Sequence, residues 1–439
     1  MRWLFDLFLQ YQENYLSTSL ESSTTGAFSQ SSFLRLLRRI LEHQWKSRDF
    51  YKQTFLNLKQ LSNHPYHIVR NQMALVFMSF LSNDVKYGQD ANDISPEFPT
   101  VKQYLDEVLP ILNKDPTRIY DITKQIKSIS INVEDNSNKI VDKDAQKKSK
   151  ECKHHVYCSC ITVAVWIKHY SNFLSISIPK EIYQILPFLF QFVENEEIYK
   201  NTLEALSSFA IKRTSIEDLG HVLETVLEFM ISSDSRKAKL NCLEFLQDFL
   251  STNFMSLSLS FSGKFVRQIE IQILAFMADP RLQVRVKASK ICCGLIHWGF
   301  FHQETVLNKL LEDFHYKISH NSVQNVKKTV QHNRKTSIEF KRQASILDCD
   351  ELANYHCGIL GLCAIIEAHP YDIPGYVPGL LMELAKHLHD PQPIPKTVKD
   401  TFQEFKRTHQ DNWQDHKLKF TDDQLMVLND LLISPNYYA

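Results

Sequence analysis

Apolar side chains recur along this chain at helical spacing, in series that come in pairs. One series contains Leu219, Val222, Leu223, Val226, Leu227 and Met230, which fall one helical turn apart, singly or as adjacent pairs. Such spacing places the side chains on one face of an amphipathic helix. After the polar stretch Ser233-Asp234-Ser235, a second series follows at Leu240, Leu243, Leu246 and Leu250. The pattern therefore predicts two helices joined by a short polar turn.

The same arrangement recurs around polar turns at Asn195, Asp234, Asp279 and Asp390. The first three turns are 39 and 45 residues apart, close to the period of roughly 40–47 residues of HEAT and armadillo helix pairs. From Asp279 to Asp390 the chain covers about two such periods, and the additional residues form a polar stretch. We therefore predict an all-α fold, a HEAT/armadillo-like α-solenoid of helix pairs with two polar insertions. The alternative is a compact multi-helix bundle, because amphipathic helices occur in both.

The turn at Asp279 has the residue types of a HEAT repeat. Asp279-Pro280 is followed by Val284, Arg285 and Ala288. Asp and Pro form the turn and open the second helix, the aliphatic residue enters the core, and the arginine bonds neighbouring turns. A weaker copy is His64-Pro65 with Val69, Arg70 and Ala74.

The hydrophobic pattern and the polar stretches together predict six segments. They are N-terminal helix pairs of the solenoid (1–131), a polar linker (132–153), HEAT-like repeats (154–316), a basic inserted loop (317–350), C-terminal HEAT-like repeats (351–433) and a short tail (434–439). The linker and the loop are assigned because charged residues dominate them and apolar ones are sparse.

Composition narrows the class of protein. The 50 basic and 50 acidic residues give no net charge, hence no basic field for direct nucleic-acid binding. Ten glycines in 439 residues are few for a Rossmann, P-loop or all-β fold. The nine cysteines lack the spacing of a disulfide framework, which indicates a reducing compartment. We find neither a secretory signal nor an apolar run of about 20 residues, so we expect a cytosolic or nuclear protein without membrane contact.

One cluster contains the residue types that bind metals: Cys152, His154, His155, Cys158 and Cys160. A structural zinc site needs a closed set of four ligands, and no second Cys/His pair lies at a useful distance. We therefore predict no metal and interpret the cluster as the end of the linker. A zinc-dependent hydrolase built on it remains the most remote functional alternative.

No catalytic residue is predicted elsewhere. His356 and Cys357 suggest a base and a nucleophile, but they lie in the mostly apolar stretch 355–366. Adjacent residues on a helix do not face each other, so packing is the preferred interpretation. No histidine or carboxylate is framed by a Gly-rich turn or a catalytic motif.

Six basic residues cluster in the predicted loop: Lys327, Lys328, Arg334, Lys335, Lys341 and Arg342. Such a patch is typical of sites for a nuclear import receptor or a polyanion. The alternative is an ordinary solvated loop, because residues 329–333 and Glu339 interrupt the basic pairs.

The C-terminus has the clearest local signal. Thr421 and Gln424 fit a capping box that opens a helix through Leu425, Leu428, Leu431 and Leu432, and Pro435 ends it. The remaining residues, Asn436-Tyr437-Tyr438-Ala439, form a tail with a terminal carboxylate. Proteasome activators dock into pockets between α-subunits of the core particle with a C-terminal pattern of this kind. The pattern consists of a hydrophobic residue, a tyrosine and any last residue. A carboxylate that pairs with a lysine and a tyrosine that packs and hydrogen-bonds explain that pattern physically.

Four stretches extend this resemblance: 369–374, 387–395, 407–413 and 420–425. Their sequences, such as His-Pro-Tyr-Asp-Ile-Pro and His-Leu-His-Asp-Pro-Gln-Pro-Ile-Pro, look like the C-terminal part of the large HEAT-repeat proteasome activators. The chain is thus similar to the proteasome activator complex subunit 4 family. Family members are several-fold longer, so the chain corresponds to their C-terminal portion.

The resemblance implies an ATP-independent, monomeric cap on the α-ring of the core particle, with docking by Tyr437, Tyr438 and Ala439. Proteolysis would belong to the core particle, so the chain would not be an enzyme. Peptides, unstructured proteins and acetylated histones would be degraded, in nucleus and cytoplasm, with roles in DNA repair and spermatogenesis. A region that binds acetyl-lysine would lie within about residues 246–330. Asn253 and Asn308 are candidates for its binding residues, and the alternative is that they are ordinary surface asparagines. Inositol polyphosphate is a further implied ligand without assignable residues.

A functional alternative from another class stays open at this point. A HEAT-repeat scaffold or transport adaptor would bind linear motifs along its concave face and never contact the proteasome.

Overall fold

The computed structural model describes residues 66–81, 158–169, 180–191, 196–260, 263–300, 304–320 and 338–432, with single positions between 32 and 39 and between 105 and 109. All regular structure in these ranges is helical, so the prediction of an all-α fold of HEAT-like helix pairs is confirmed. The helices are α1 His67–Leu81, α2 Leu186–Gln191, α3 Glu196–Ala210, α4 Ile216–Ser232, α5 Arg236–Thr252, α6 Phe254–Ser260, α7 Gly263–Met277, α8 Leu282–His297, α9 Glu304–His320, α10 Ile338–Glu367, α11 Val377–Ala385, α12 Ile394–His409, α13 Trp413–His416 and α14 Asp422–Leu432. Residues 158–169 are also helical, and Lys180–Ile185 form a 3₁₀ turn before α2.

Three predicted turns lie between the helices they were expected to separate. Asp234 lies between α4 and α5, Asp279 between α7 and α8, and Asp390 between α11 and α12. Asn195 is outside the described residues. Asp279 accepts a hydrogen bond from the backbone N–H of Arg281 at 2.9 Å, because a short carboxylate can replace a backbone acceptor in a turn.

The predicted loop 317–350 requires a correction at both ends. Helix α9 continues to His320, and α10 already begins at Ile338. The stretch from Ile338 onward is charged, yet Glu, Lys, Arg and Gln are good helix formers. Polarity alone therefore did not distinguish a helical extension from a loop. Residues 321–337 lie outside the described part of the chain.

The chain forms two compact units, residues 1–229 with 248–253, and residues 230–247 with 254–439. The core of the first unit contains two aromatic pairs. Tyr183 stacks on Phe209 with ring centroids 5.8 Å apart, and Phe190 packs against Phe229 at 5.2 Å. Buried aromatic pairs of this kind stabilise a core beyond the area that they remove from water.

Asn253 closes a turn within the first unit. Its Oδ1 accepts from the backbone N–H of Thr214 at 2.9 Å, and its Nδ2 donates to the carbonyls of Lys212 and Phe249 at 3.0 and 3.1 Å. Since both amide hydrogens are used, this buried side chain has no donor left for an acetyl group. The suggestion that Asn253 reads acetyl-lysine is therefore wrong, and so is the alternative of a surface residue.

Helix α10 is the centre of the second unit. It packs against α7, α8, α9, α11 and α12, and residues 355–366 are buried on every side. A helix that is apolar all round is expected to lie inside a core. Gly358 and Gly361 allow α9 to approach closely, because a Cβ at Gly361 would lie 2.4 Å from the ring of Phe314.

No helix among the described residues combines the length and the apolar character that crossing a membrane requires.

Candidate functional site

The root of the C-terminal tail is helix α14, and its capping box is confirmed. The backbone N–H of Thr421 donates to Oε1 of Gln424 at 3.0 Å, and the N–H of Gln424 donates to Oγ1 of Thr421 at 3.3 Å. These reciprocal bonds satisfy two backbone donors that a helix start otherwise leaves open. The acidic first turn, Asp422 and Asp423, adds a favourable interaction with the helix dipole.

Leu428 attaches α14 to the core. It is fully buried, and α14 packs against α11 and α12. The described chain ends at Leu432, so Tyr437, Tyr438 and Ala439 lie outside it and their docking role stays a prediction. What the structure describes is the support from which those residues extend.

An aromatic cluster holds the segment just before α14. Phe420 contacts Phe405 edge-on at 6.4 Å and Trp413 at 5.9 Å between ring centroids. The buried His409 stacks on Phe405 at 4.2 Å and meets His416 edge-on at 5.1 Å. His409, Trp413 and Phe420, which belong to the stretches 407–413 and 420–425 of the family resemblance, are thus packing residues at the root of the tail.

A salt bridge ties the same segment to the loop before α11. Nζ of Lys419 lies 2.8 Å from Oδ1 of Asp372, and this bond is the main reason why the pKa of Asp372 is lowered. The backbone carbonyl of Asp372 is also 3.3 Å from Nε2 of His409. The loop 371–374 and the segment 417–420 are therefore held together.

The turn at Asp390 is anchored to α10 by a small polar cluster. The hydroxyl of Tyr355 donates to Oδ2 of Asp390 at 2.6 Å, and Nδ1 of His387 lies 2.8 Å from the same oxygen. Burial, followed by the interaction with Asp390, raises the pKa of Tyr355. The cluster fixes the start of α12, against which α14 packs.

A second polar chain joins α8, α10 and α12. Arg285 contacts His356 at 3.2 Å, and His356 contacts Thr397 at 2.9 Å. Arg285 also donates to the carbonyls of Asp279 and Pro280 at 2.8 and 3.1 Å. It therefore bonds its own turn and a neighbouring helix, whereas the sequence predicted only neighbouring turns.

Cys357, beside His356, has a packing environment. Its Sγ lies 3.2 Å from Nζ of Lys317, and burial raises the pKa of the thiol, although Lys317 opposes this. His356 and Cys357 both lie in the buried stretch of α10, as the packing hypothesis predicts.

The other predicted site residues are not brought together among the described residues. Lys327, Lys328, Arg334 and Lys335 lie outside the described residues, and Lys341 and Arg342 belong to α10. Asn308 is exposed on α9.

Of the predicted metal-type cluster, Cys152, His154 and His155 lie outside the described residues. Cys158 and Cys160 are buried on the helix 158–169. Burial raises the pKa of the Cys160 thiol, and Sγ of Cys158 donates to the carbonyl of Arg70 at 3.7 Å. Within the described ranges, no group of three His, Cys, Asp or Glu side chains is arranged to hold a metal ion.

Sequence reasoning missed the contacts that surround His356, Tyr355 and Asp390. The sequence offered one signal for these contacts, since His356 lies inside an apolar run and a buried polar group requires hydrogen-bond partners. The identity of those partners was not accessible from local spacing.

Comparison with known proteins identifies relatives over the whole chain. Residues 352–439 match the family described as "Proteasome activator complex subunit 4-like, C-terminal". Proteasome activator complex subunit 4A of Danio rerio and subunit 4 of Homo sapiens are each 28% identical over 100% of the chain. Proteasome activator BLM10 of Saccharomyces cerevisiae is 24% identical over 95% of it. Among solved structures, a chain of the Kap95:Nup1 complex matches with 11% identity and a TM-score of 0.29, covering 97% of this chain and 55% of that one.

The chain is short beside these relatives. It spans 22% of the length of the Danio rerio and Homo sapiens proteins and 18% of that of BLM10. The chain is thus similar to the C-terminal portion of proteins of the proteasome activator complex subunit 4 family.

Proposed function

We propose that the chain is a proteasome activator, or the C-terminal portion of one, that docks on the α-ring of the core particle through Tyr437, Tyr438 and Ala439. Docking opens the gate and promotes degradation of peptides and acetylated histones. The observation that supports this function is the similarity of the whole chain to proteins named proteasome activators. The family match over 352–439 includes the three docking residues.

The support of the tail fits this role. Helix α14 is capped at its start and anchored by Leu428, so the tail leaves a fixed point of the second unit. Seven residues follow Leu432, and an extended chain of that length spans at most about 25 Å. The docking residues therefore act close to α14.

The chemistry of the tail suits a pocket that binds a peptide end. A carboxylate pairs strongly with a lysine, and a tyrosine offers a large apolar ring with one hydroxyl for a directed bond. In this proposal the chain performs no hydrolysis, because the peptidase sites belong to the core particle.

Three further properties come from the family resemblance and are proposals of the same kind. They are acetylated histones as substrates, inositol polyphosphate as a ligand, and nucleus and cytoplasm as the location. Any acetyl-lysine pocket within residues 246–330 would have to use side chains other than Asn253, whose amide is already bonded.

The decisive experiment compares the chain with two variants, one lacking residues 437–439 and one with Tyr438→Ala. Each is co-sedimented with purified core particle, and hydrolysis of a fluorogenic peptide is measured in the same fractions. We expect the chain to bind and to accelerate hydrolysis, and both variants to lose the acceleration while their thermal unfolding stays unchanged. Equal stimulation by all three would contradict the tail mechanism. Absence of binding by the unchanged chain would favour the scaffold or adaptor function.

A further inference from the structure

The side chain of Lys317 on α9 contacts the thiol of Cys357 on α10. Nζ of Lys317 donates to Sγ of Cys357 over 3.2 Å, and the sulfur also lies 3.9 Å from the carbonyl of Leu274 on α7. Lys317 and Cys357 are 40 positions apart in sequence, so the fold brings an amine and a thiol into contact. An amine can act as a nucleophile, and a thiol can be oxidised.

Close packing of α9 on α10 holds this pair in place. A Cβ at Gly358, the neighbour of Cys357, would lie 2.8 Å from the carbonyl oxygen of Phe314 and 2.8 Å from Cγ1 of Ile318. Helices that pack this closely leave little freedom to the backbone of Lys317 and Cys357. The four-carbon stem of Lys317 remains flexible, so Nζ can move onto the sulfur without a movement of either helix.

The sulfur is buried, yet positive charges act on it. Cys357 is fully buried, and burial raises the pKa of its thiol, whereas the contact with Lys317 and the charge of Arg285 lower that pKa. A nearby cation favours the thiolate, which is the form that peroxides oxidise. Lys317 is only partly buried, so the pair borders on solvent at its amine end.

We propose that Lys317 and Cys357 form a modification site at which hydrogen peroxide joins Nζ to Sγ in a covalent sulfur–nitrogen bond. The oxidant is a small peroxide from solution, and the reacting form of the pair is the ammonium beside the thiolate. The resulting bridge connects α9 to α10. This inference does not depend on the proposed function.

The bridge forms in two steps that balance. In the first, the thiolate of Cys357 attacks one peroxide oxygen, so a sulfur–oxygen bond forms and the oxygen–oxygen bond breaks. The hydroxide that leaves takes a proton from the ammonium of Lys317 and becomes water. Sulfur loses two electrons and the peroxide gains two, which leaves a sulfenic acid beside a neutral amine.

In the second step, the lone pair of Nζ attacks the sulfur of the sulfenic acid. The nitrogen–sulfur bond forms and the sulfur–oxygen bond breaks, and the hydroxide that leaves takes a proton from the nitrogen and becomes water. Sulfenic acids condense with nitrogen in this way to give sulfenamides. A thiol reductant reverses the bridge, because its thiolate attacks the sulfur and releases the amine.

The bridge is expected to stabilise the second unit. A covalent link between distant residues reduces the conformational entropy of the unfolded chain, as a disulfide does. It would close the 40-position loop between Lys317 and Cys357, and α10 is the helix on which the other helices of that unit pack. We expect the midpoint of thermal unfolding to rise by several degrees on oxidation and to return after reduction.

The test treats four forms of the full chain with hydrogen peroxide: the unchanged chain, Lys317→Arg, Cys357→Ser and the control Lys309→Arg. Lys309 is exposed on the same helix as Lys317. Each sample is denatured, treated with iodoacetamide, digested and analysed by mass spectrometry. In the unchanged chain and the control, we expect peptides containing residues 317 and 357 to be linked, with a mass two hydrogen atoms below their sum, and dithiothreitol to separate them.

The two site variants are expected to give no linked peptides. Arginine keeps the positive charge beside Cys357, but its guanidinium group stays protonated and is not a nucleophile. Lys317→Arg should therefore leave Cys357 as an oxidised but unlinked residue. Cys357→Ser lacks the sulfur, and its midpoint of thermal unfolding should not rise with peroxide.

Several results would overturn the inference. They are the absence of linked peptides from the unchanged chain, equal linking in Lys317→Arg, and a disulfide of Cys357 with another cysteine as the main product. A link heavier by one oxygen atom would overturn the direct sulfur–nitrogen bond, and a link without a rise in the unfolding midpoint would overturn the stabilising effect. None of these results bears on docking to the core particle, which co-sedimentation tests separately.

Discussion

Arg285 donates a hydrogen bond from Nε to Nδ1 of His356 over 3.2 Å, with both side chains buried. A guanidinium group has no acceptor, so Nδ1 must accept and the imidazole proton must reside on Nε2. That proton points to Oγ1 of Thr397 at 2.9 Å, and the hydroxyl of Thr397 donates to the carbonyl of Pro393 at 3.3 Å. The contact with Arg285 therefore fixes one neutral tautomer of His356 and joins three helices.

This arrangement makes the stability of the second unit dependent on pH. Burial, and next the charge of Arg285, lower the pKa of His356 to about 3, against about 6.5 in an unfolded chain. The stabilisation is complete above pH 6.5 and is lost as the pH falls toward 3, because the unfolded state then binds the extra proton. We expect a loss of about 2 kcal/mol between pH 7.5 and pH 5 from this residue, measured by urea unfolding at both values.

The variant His356→Gln supplies the matched control. Its amide offers an acceptor to Arg285 and a donor to Thr397 without a titrating group. We expect a smaller loss of stability between pH 7.5 and pH 5 than in the unchanged chain. A remainder is expected from His369 and His416, whose pKa values are also lowered by burial. An identical loss in both proteins would show that His356 does not titrate in this range.

Gly361 is predicted to be essential for the packing of α10 against α9. The variant Gly361→Ala places a Cβ 2.4 Å from the ring of Phe314, and overpacking of a core lowers the free energy of unfolding by about 1–3 kcal/mol. Urea unfolding measures the change. The control is Gly379→Ala in α11, where nothing lies within 4 Å of the new atom. Alanine there favours the helix by about 0.5–1 kcal/mol, so opposite signs are expected.

Loss of the buried ion pair of Lys239 and Asp279 is predicted to lower the free energy of unfolding more than loss of an exposed pair of similar length. Their atoms are 2.7 Å apart, with 15% and 3% of the side chains exposed, and Lys239 also lies over the Phe276 ring at 5.1 Å. Lys239→Met leaves a buried carboxylate without its cation, which lowers the free energy of unfolding by about 2–4 kcal/mol. Lys419→Met breaks the exposed 2.8 Å pair with Asp372, and a change below about 1 kcal/mol is expected. Equal losses of stability in Lys239→Met and Lys419→Met would contradict the prediction that the buried pair contributes more.

The capping box is predicted to keep the root of the tail helical. Thr421→Ala removes the Oγ1 acceptor for the N–H of Gln424, and loss of such a cap lowers helix stability by about 1 kcal/mol. Hydrogen exchange of the amides of α14 should become several-fold faster, while Thr421→Ser retains protection. Unchanged exchange in the alanine variant would mean that packing by Leu428 alone maintains the helix.

Local sequence determined the helices, the turns and the cap. The turns at Asp234, Asp279 and Asp390 interrupt apolar series that repeat at helical spacing, so their positions follow from residues within a few turns of the chain. The capping box needs only Thr421 and Gln424, three positions apart. Where the local rule failed, at residues 338–350, charged residues that form helices well were interpreted as a loop.

Tertiary structure decided everything that depends on how helices cross. Arg285 and His356 are 71 residues apart in sequence, and no periodicity indicates which buried donor a histidine will meet. Asn253 became a buried turn residue only because α5 ends beside residues 212–214. Asp372 and Lys419 became partners in a salt bridge although they are 47 residues apart. Spacing along a helix fixes which face is apolar, whereas the angle and distance between packed helices fix the partners, and these arise only from the assembled core.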